Sequence, residues 1–311
     1  MDELIHGIVG DGDARLFAAV TTESVTEAVL RHGTAPTTSA ALGRMLTGAA
    51  LLGASFKDFD RLTVKIECDG PVAGITAEAT KEGHIRGYVK NPNAEVPAKS
   101  NGKFDVRGII GQGTFFVIRE AGFEIGFRPE PYVGSVPIVS GEIAEDLAYY
   151  LAKSEQIPAA VVLGVLLQNR EPYVSAAGGV MVQMLPGSNE NIVTMIEDTL
   201  AHAPHVTSLI REGARPIDLA KMAIGDLPFE VLGEIDIAFK CTCSIERART
   251  MIAALGQKEV AAMLSEDKGA VMTCGFCNEV YQLNEEDLRQ ILQSESVHAP
   301  EISLRPDAEN V

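Results

Sequence analysis

Cysteine is scarce in this chain of 311 residues, which holds five in all. So few thiols leave little for a fold stapled by disulfides, the device small secreted domains rely on. Positive charge is short too: 26 lysines and arginines stand against 43 aspartates and glutamates, for a net charge of −17. That balance argues against nucleic acid and anionic membrane as partners, since both are held by cations that neutralise phosphates. What it supplies is solubility. The most apolar window, "SAALGRMLTGAALLGASF", carries Arg44 and is dominated by Ala and Gly, so a buried helix is expected there and not a membrane span. The opening "MDELIHGIVGDGDARLF" is acidic and polar where a secretory leader would be basic and then apolar, which predicts a cytoplasmic protein.

What is present is enough apolar material, 46% of residues, to bury a large core, in a length that suggests two or three compact units. "ARLFAAVTT" reads as a strand, and "TESVTEAVLRHG" as a short helix ended by Gly33. "RLTVKIECDG" alternates Leu62, Val64, Ile66 and Cys68 on one face before a turn at Asp69 and Gly70. Cys68 is therefore expected to be a small buried hydrophobe and not a reactive thiol. "GIIGQGTFF" lacks the spacing of a dinucleotide fingerprint, and Gly108, Gly111 and Gly113 are expected to permit a turn between strands. Ser140 is placed to cap "GEIAEDLAYYLAKSEQ", with Ile143, Leu147, Tyr150 and Leu151 on one helical face. Two strand-like runs, "AAVVLGVLLQ" and "YVSAAGGVMVQML", precede Pro186 and Gly187, where a first domain of mixed helix and strand, 1–186, is expected to end.

From residue 187 to 232 the pattern becomes helical. Ile192, Ile196 and Leu200 recur at helical spacing, with Val206, Leu209 and Ile210 beyond them, and "RPIDLAKMAIG" starts with Pro and stops at Gly. Helices this short are marginal alone, so their apolar stripe must rest on something else. A third region, 233–293, begins with alternating Ile235, Ile237 and Phe239. Ser244 caps a helix closed by Gly256, a second helix follows, then the strand "EVYQL", and Asn284 caps "EEDLRQILQ". A polar, Pro-interrupted tail is expected over 294–311.

Four of the five cysteines fall in that third region, as Cys241 with Cys243 and Cys274 with Cys277, thirty residues apart. Two tight pairs around a helical insert, one pair in the knuckle-like "CGFC", resemble a closed four-thiolate metal site. Soft thiolates select zinc, and a mononuclear iron site uses the same ligands. Four protein ligands leave no open position for a reacting water, so the metal holds structure and does not catalyse. His202 and His205 lie three apart with no third donor nearby and read as a solvated helix end. No Ser, His, Asp constellation has a spacing that would justify a triad.

These cysteines, together with "HGTAPTTSAALGRMLTGAALLGA", "RGYVKNP", "SVPIVSGEIAEDLAYYLAKSEQIP" and "TCGFCNEVY", resemble the heat-shock protein 33 family of bacterial redox-regulated chaperones over about residues 14–292. The resemblance implies an α+β architecture: an N-terminal mixed α/β core domain, a helical linker and a small C-terminal zinc-binding redox switch. It implies one zinc ion per chain, held by Cys241, Cys243, Cys274 and Cys277 in a reduced, inactive protein. Oxidation would then pair Cys241 with Cys243 and Cys274 with Cys277, release zinc and unfold the switch. Such a protein is an ATP-independent holdase that binds unfolding clients, dimerises when active and is not an enzyme. Ile192, Ile196, Leu200, Leu209 and Ile210 of the linker are the candidate client-binding residues. A thiol-disulfide oxidoreductase built on "CGFC" and a purely structural zinc module are the alternatives. The first lacks a thioredoxin-like strand and helix order around the motif. A zinc knuckle for nucleic acid meets the wrong sign of charge, with 14 acidic against 7 basic residues over 232–311.

Cysteines two apart in an extended chain sit near the upper end of the ~4.4–6.8 Å Cα separation that a disulfide accepts. The turn at Cys274 and Cys277 is easier to close. Mass mapping of partly oxidised protein should find the Cys274–Cys277 bond before the Cys241–Cys243 bond, and the reverse order would refute this reading.

Overall fold

The structure is a computed structural model that describes residues 1–57, 59–121, 130–171 and 173–296. Its contacts divide the chain into two compact units, Met1–Cys241 and Thr242–Val311. The tail expected over 294–311 lies, from 297 onward, outside the described residues.

The first unit opens with the hairpin β1 (Glu3–Val9) and β2 (Ala14–Val20), followed by α1 (Thr22–His32) and α2 (Pro36–Ser55). Three strands come next, β3 (Arg61–Cys68), β4 (Ile75–Ala79) and β5 (His84–Val89), then a single turn of helix, α3 (Val106–Ile110). β6 (Gly113–Glu120), β7 (Tyr132–Pro137), α4 (Ala144–Lys153), β8 (Ala159–Leu167) and β9 (Val174–Met184) complete the core. The expected linker supplies α5 (Glu190–His202), α6 (Val206–Arg211) and α7 (Pro216–Ile224), and β10 (Phe229–Asp236) and β11 (Ala238–Phe239) close the unit. Among the described residues these strands form a five-stranded sheet, β10-β1-β2-β9-β8, and a six-stranded sheet, β11-β5-β4-β3-β6-β7.

Composition explains the middle of this unit. α2 packs against strands of both sheets, and nearly every one of its residues is buried. A helix apolar all round is one that is covered all round. Its N-terminus starts at Pro36 and is capped from far away: the Glu95 carboxylate accepts from Thr37 N at 2.8 Å and from the Thr37 hydroxyl. Arg44, the one charge of the window, reaches Glu142 at 2.7 Å. α1 ends as expected, with Gly33 in the left-handed region at φ 58° and its N–H on Val29 O.

Strands β2 and β9 have no polar face. Leu16 and Ala18 point into one core while Phe17 and Ala19 point into the other, and Val180 and Val182 are offset in the same way from Met181. The core that Leu16 and Ala18 enter is closed by the expected linker helices. Ile196, Val206, Leu219, Ala220, Ala223 and Ile224 are buried against Ile5, Val9, Leu16, Ala18, Val180 and Val182, with Ile192, Leu200, Leu209 and Ile210 half-buried at its margin. α6 lies close to the sheet because two strand positions lack side chains. A Cβ on Gly164 would meet Val206 Cγ1 at 2.6 Å, and one on Gly178 would meet Ile210 Cδ1 at 2.5 Å.

Several expectations meet a different local structure. The segment before Gly10, read only as polar, is strand β1, and it pairs with both β2 and β10. β10 runs through the boundary expected at 232/233, because its pairing with β1 continues from Phe229 to Asp236 across a register shift between His6 and Gly7. Ser140 does not cap α4, which starts four residues later. Asp146 does that work by reaching back to accept from Val139 N at 2.8 Å, Ser140 N at 2.9 Å and Ile143 N at 3.0 Å. These bonds hold Ile143 at φ 69°, a conformation that a β-branched residue adopts only when its surroundings impose it. "GIIGQG" is not a turn between strands: Gly108 lies inside α3, and Gly111, at φ 72°, leads from that helix into β6. Cys68 is half-buried at the end of β3 against the main core, and burial pushes its thiol pKa up, as expected for a packing residue.

The second unit contains α8 (Ile245–Ala253), α9 (Gln257–Glu266), the hairpin β12 (Gly269–Thr273) and β13 (Val280–Asn284), and α10 (Glu285–Ser296). Ser244 caps α8 by accepting from Arg247 N at 3.3 Å. Asn284 and Asp287 cap α10 reciprocally: Asn284 Oδ1 accepts from Asp287 N at 3.1 Å, and Asp287 Oδ2 from Asn284 N at 2.9 Å. Its apolar centre is small: Ala248, Ile252, Val260, Leu283, Leu288 and Ile291.

The fully buried Leu219 anchors α7 on the sheet. Leu219→Ala should cost about 2–5 kcal/mol. Hydrogen exchange should register that loss first in α5–α7, and protection there equal to the parent's would contradict the packing described.

Candidate metal centre

Local structure brings the cysteines together. Cys274 and Cys277 sit in the turn of the β12–β13 hairpin, where Cys274 N donates to Glu279 O at 2.9 Å and Asn278 N donates to Cys274 O at 2.8 Å. Asn278 takes φ 57° to close that turn, a conformation asparagine tolerates better than most residues. Cys243 stands immediately before the Ser244 cap of α8. Cys241 is the last residue of the first unit and follows β11, which pairs in parallel with β5. The four Sγ atoms all lie within 4.8 Å of one another. This is the one group of three or more such donors among the described residues, and neither His202 nor His205 belongs to it. His202 Nδ1 instead meets the Asp198 carbonyl at 2.8 Å on its own helix.

The set can hold a metal. An ion bonded tetrahedrally to four thiolates at about 2.3 Å needs sulfurs about 3.8 Å apart, which a cluster of this span provides. Cys243 Sγ and Cys277 Sγ are 3.3 Å apart although they belong to different sequence pairs. Sulfur positions alone therefore do not select which thiols would join on oxidation. Three of the four residues are half-buried and Cys277 is buried.

Two other side chains complete the surroundings, and neither was marked in the sequence. Tyr281 Oη donates to Cys243 Sγ at 3.0 Å, and that bond pushes the phenol pKa well up, because losing the proton would set two anions side by side. Strand alternation in "EVYQL" leaves Leu283 buried and Tyr281 half-buried on the same side, a weak signal that the residue faces inward. Arg86 Nη1, on β5, donates to Cys241 Sγ at 3.3 Å. No local signal links position 86 to position 241, since the pairing of β5 with β11 is long-range. The client-binding candidates Ile192, Ile196, Leu200, Leu209 and Ile210 lie on α5 and α6, in the core between those helices and the sheet.

No helix among the described residues is long and apolar enough to cross a membrane. The family model described as Hsp33 protein matches residues 2–284. The 33 kDa chaperonin of Listeria innocua is 44% identical over 295 residues, covering 94% of this chain and 98% of the relative. That of Bacillus subtilis is 42% identical over 289 residues, covering 93% and 97%. The crystal structure of the 33 kDa chaperonin (heat shock protein 33 homolog) from Thermotoga maritima superposes with a TM-score of 0.86 at 36% identity, covering 95% of this chain and 99% of that one. A mixed α and β core, a four-cysteine cluster in the C-terminal region and similarity along nearly the whole length agree: the chain belongs to the Hsp33 family of 33 kDa chaperonins.

Proposed function

We propose that this chain is a redox-gated, ATP-independent holdase of the cytoplasm and not an enzyme. The carrying observation is the cluster of four cysteines in a unit whose buried apolar core, among the described residues, is six aliphatic side chains. Cys241, Cys243, Cys274 and Cys277 would bind one zinc ion in the reduced protein. Bound zinc would supply folding free energy, on the order of 10–16 kcal/mol for structural sites, and no reactive water. A core this small needs such a staple.

Oxidation removes the ligands. In each pair, two thiolates give two electrons to one hypochlorous acid, forming one S–S bond and releasing chloride and hydroxide. The pairing implied by the family is Cys241 with Cys243 and Cys274 with Cys277. A disulfide sulfur no longer offers the negative charge that held the ion, so oxidation, zinc release and unfolding of the switch follow as one event.

Client binding then falls to the linker, residues 187–232, and the sheet face it covers. Ile192, Ile196, Leu200, Leu209 and Ile210, with Leu16, Ala18, Val180 and Val182 beneath, form apolar surface that an unfolding chain would bind with little regard to sequence. β10 and β11 connect the linker to Cys241 and are paired to β1 and β5, which offers a route by which loss of the switch loosens the linker. The active form is proposed to be a homodimer. The strongly acidic chain would stay soluble while that surface is open, and it disfavours nucleic acid or anionic membrane as a partner.

Two measurements check this reading. Hypochlorous acid should release zinc and form disulfides in the same interval that the protein gains suppression of light scattering by a heat-denatured client. Zinc loss with no such gain would leave a structural zinc module, and catalysis of dithiol exchange would favour an oxidoreductase. Charging the docked face, as in the double variant Ile196→Asp and Leu200→Asp, should give client protection without oxidant. Continued inactivity of that reduced variant would rule out linker docking as the restraint.

A further inference from the structure

Arg86 occupies an unusual position for a strand residue on a sheet's polar face. Its neighbours Ile85 and Val89 point into the core, and Arg86 points the other way. Across the ladder its register partner is Glu78 on β4. The carboxylate Oε2 accepts from Arg86 Nε at 2.7 Å and from Nη2 at 2.6 Å. Both side chains are nearly buried, at 12% and 11% exposure, so the fork is fixed in direction by its partner. One arm remains. Nη1 points at Cys241 Sγ, 3.3 Å away.

The backbone grips the same segment. Ala238 and Phe239 pair with His84 and Ile85, and Lys240 N donates to Ile85 O at 3.0 Å. β5 thus holds the chain just before Cys241 by its main chain, and Cys241 itself by the side chain of its next residue. Donors in the outer shell of a metal site orient the ligand and offset the charge that several thiolates gather in one place, and their loss typically weakens binding 10–100-fold. Arginine suits this role better than lysine because its planar fork can serve a carboxylate and a sulfur at once.

We propose that Arg86, oriented by Glu78, is a positioning residue for Cys241, so that a side chain of the N-terminal sheet sets how tightly the four thiolates retain zinc. Arg86 thereby also sets how readily oxidant releases the ion. This rests on the zinc reading above. A purely structural role, in which Arg86 serves only to neutralise Glu78, leaves zinc affinity untouched.

The test uses the full chain with Arg86→Gln, Arg86→Lys and the control Arg61→Gln, whose guanidinium approaches the same Glu78 at 3.8 Å. Zinc(II) affinity is measured by competition with a coloured chelator, and cobalt(II) reports the thiolate environment through its charge-transfer absorption. Arg86→Gln should bind zinc about 10–100-fold more weakly, release it faster under peroxide and shift the cobalt band. Arg86→Lys, which keeps the charge beside Glu78 but lacks the fork, should fall between Arg86→Gln and the parent. Arg61→Gln should match the parent. If Arg86→Gln does not fold, Arg86→Lys decides alone. Zinc affinities of the folded Arg86 variants equal to the parent's, with an unshifted cobalt band, would overturn the proposal while leaving the zinc reading intact. Failure of the parent itself to bind zinc would overturn both.

Discussion

Strands β2 and β9 are buried on both faces over most of their length, and the first unit is organised by that constraint. One face is satisfied by the buried helix α2, which packs on strands of both sheets. The other needs a second cover, and the chain provides it with three short helices. Such helices gain little from their own hydrogen bonds and depend on the face they bury. A cover of that kind is stable when docked and marginal when released, and it leaves a continuous apolar surface behind. Under the proposed function, that surface would be what binds another unfolded chain.

The second unit has the opposite problem. α8 is capped by Ser244 and α10 by the Asn284–Asp287 pair, and the buried core of the unit is small among the described residues. Four thiolates and a metal would make up that difference, which ties folding of the unit to the oxidation state of its ligands. Tyr281 on Cys243 and Arg86 on Cys241 place hydrogen-bond donors on two of those sulfurs. Under the proposed function the thiols that hold the metal would also be the groups an oxidant attacks, which is what a sensor requires.

Much of this was legible in the sequence, for physical reasons. Gly33, Pro216 and Gly225 mark helix ends through backbone conformations that other residues resist, and the Leu62, Val64, Ile66 alternation could only be a half-buried strand. The paired spacing of the four cysteines pointed to one cluster, and the fold brings all four together. The misreadings share a cause: contacts made far along the chain outweigh local signals. β1 is a strand because β2 and β10 flank it, although Glu3 and His6 interrupt its pattern. Asp146 displaced Ser140 as the cap of α4 because three backbone N–H groups converge on it. Arg86 could not be linked to Cys241 without knowing that β5 and β11 are neighbours.

The central claim is that metal held by four thiolates keeps the second unit folded and, through it, keeps the cover helices docked. Hydrogen exchange on reduced, zinc-loaded protein and on the oxidised, zinc-free form tests it most directly. The account predicts that protection is lost together over residues 242–296 and in α5–α7, while β2, β9 and α2 remain protected. Loss confined to residues 242–296, with α5–α7 still protected, would contradict it.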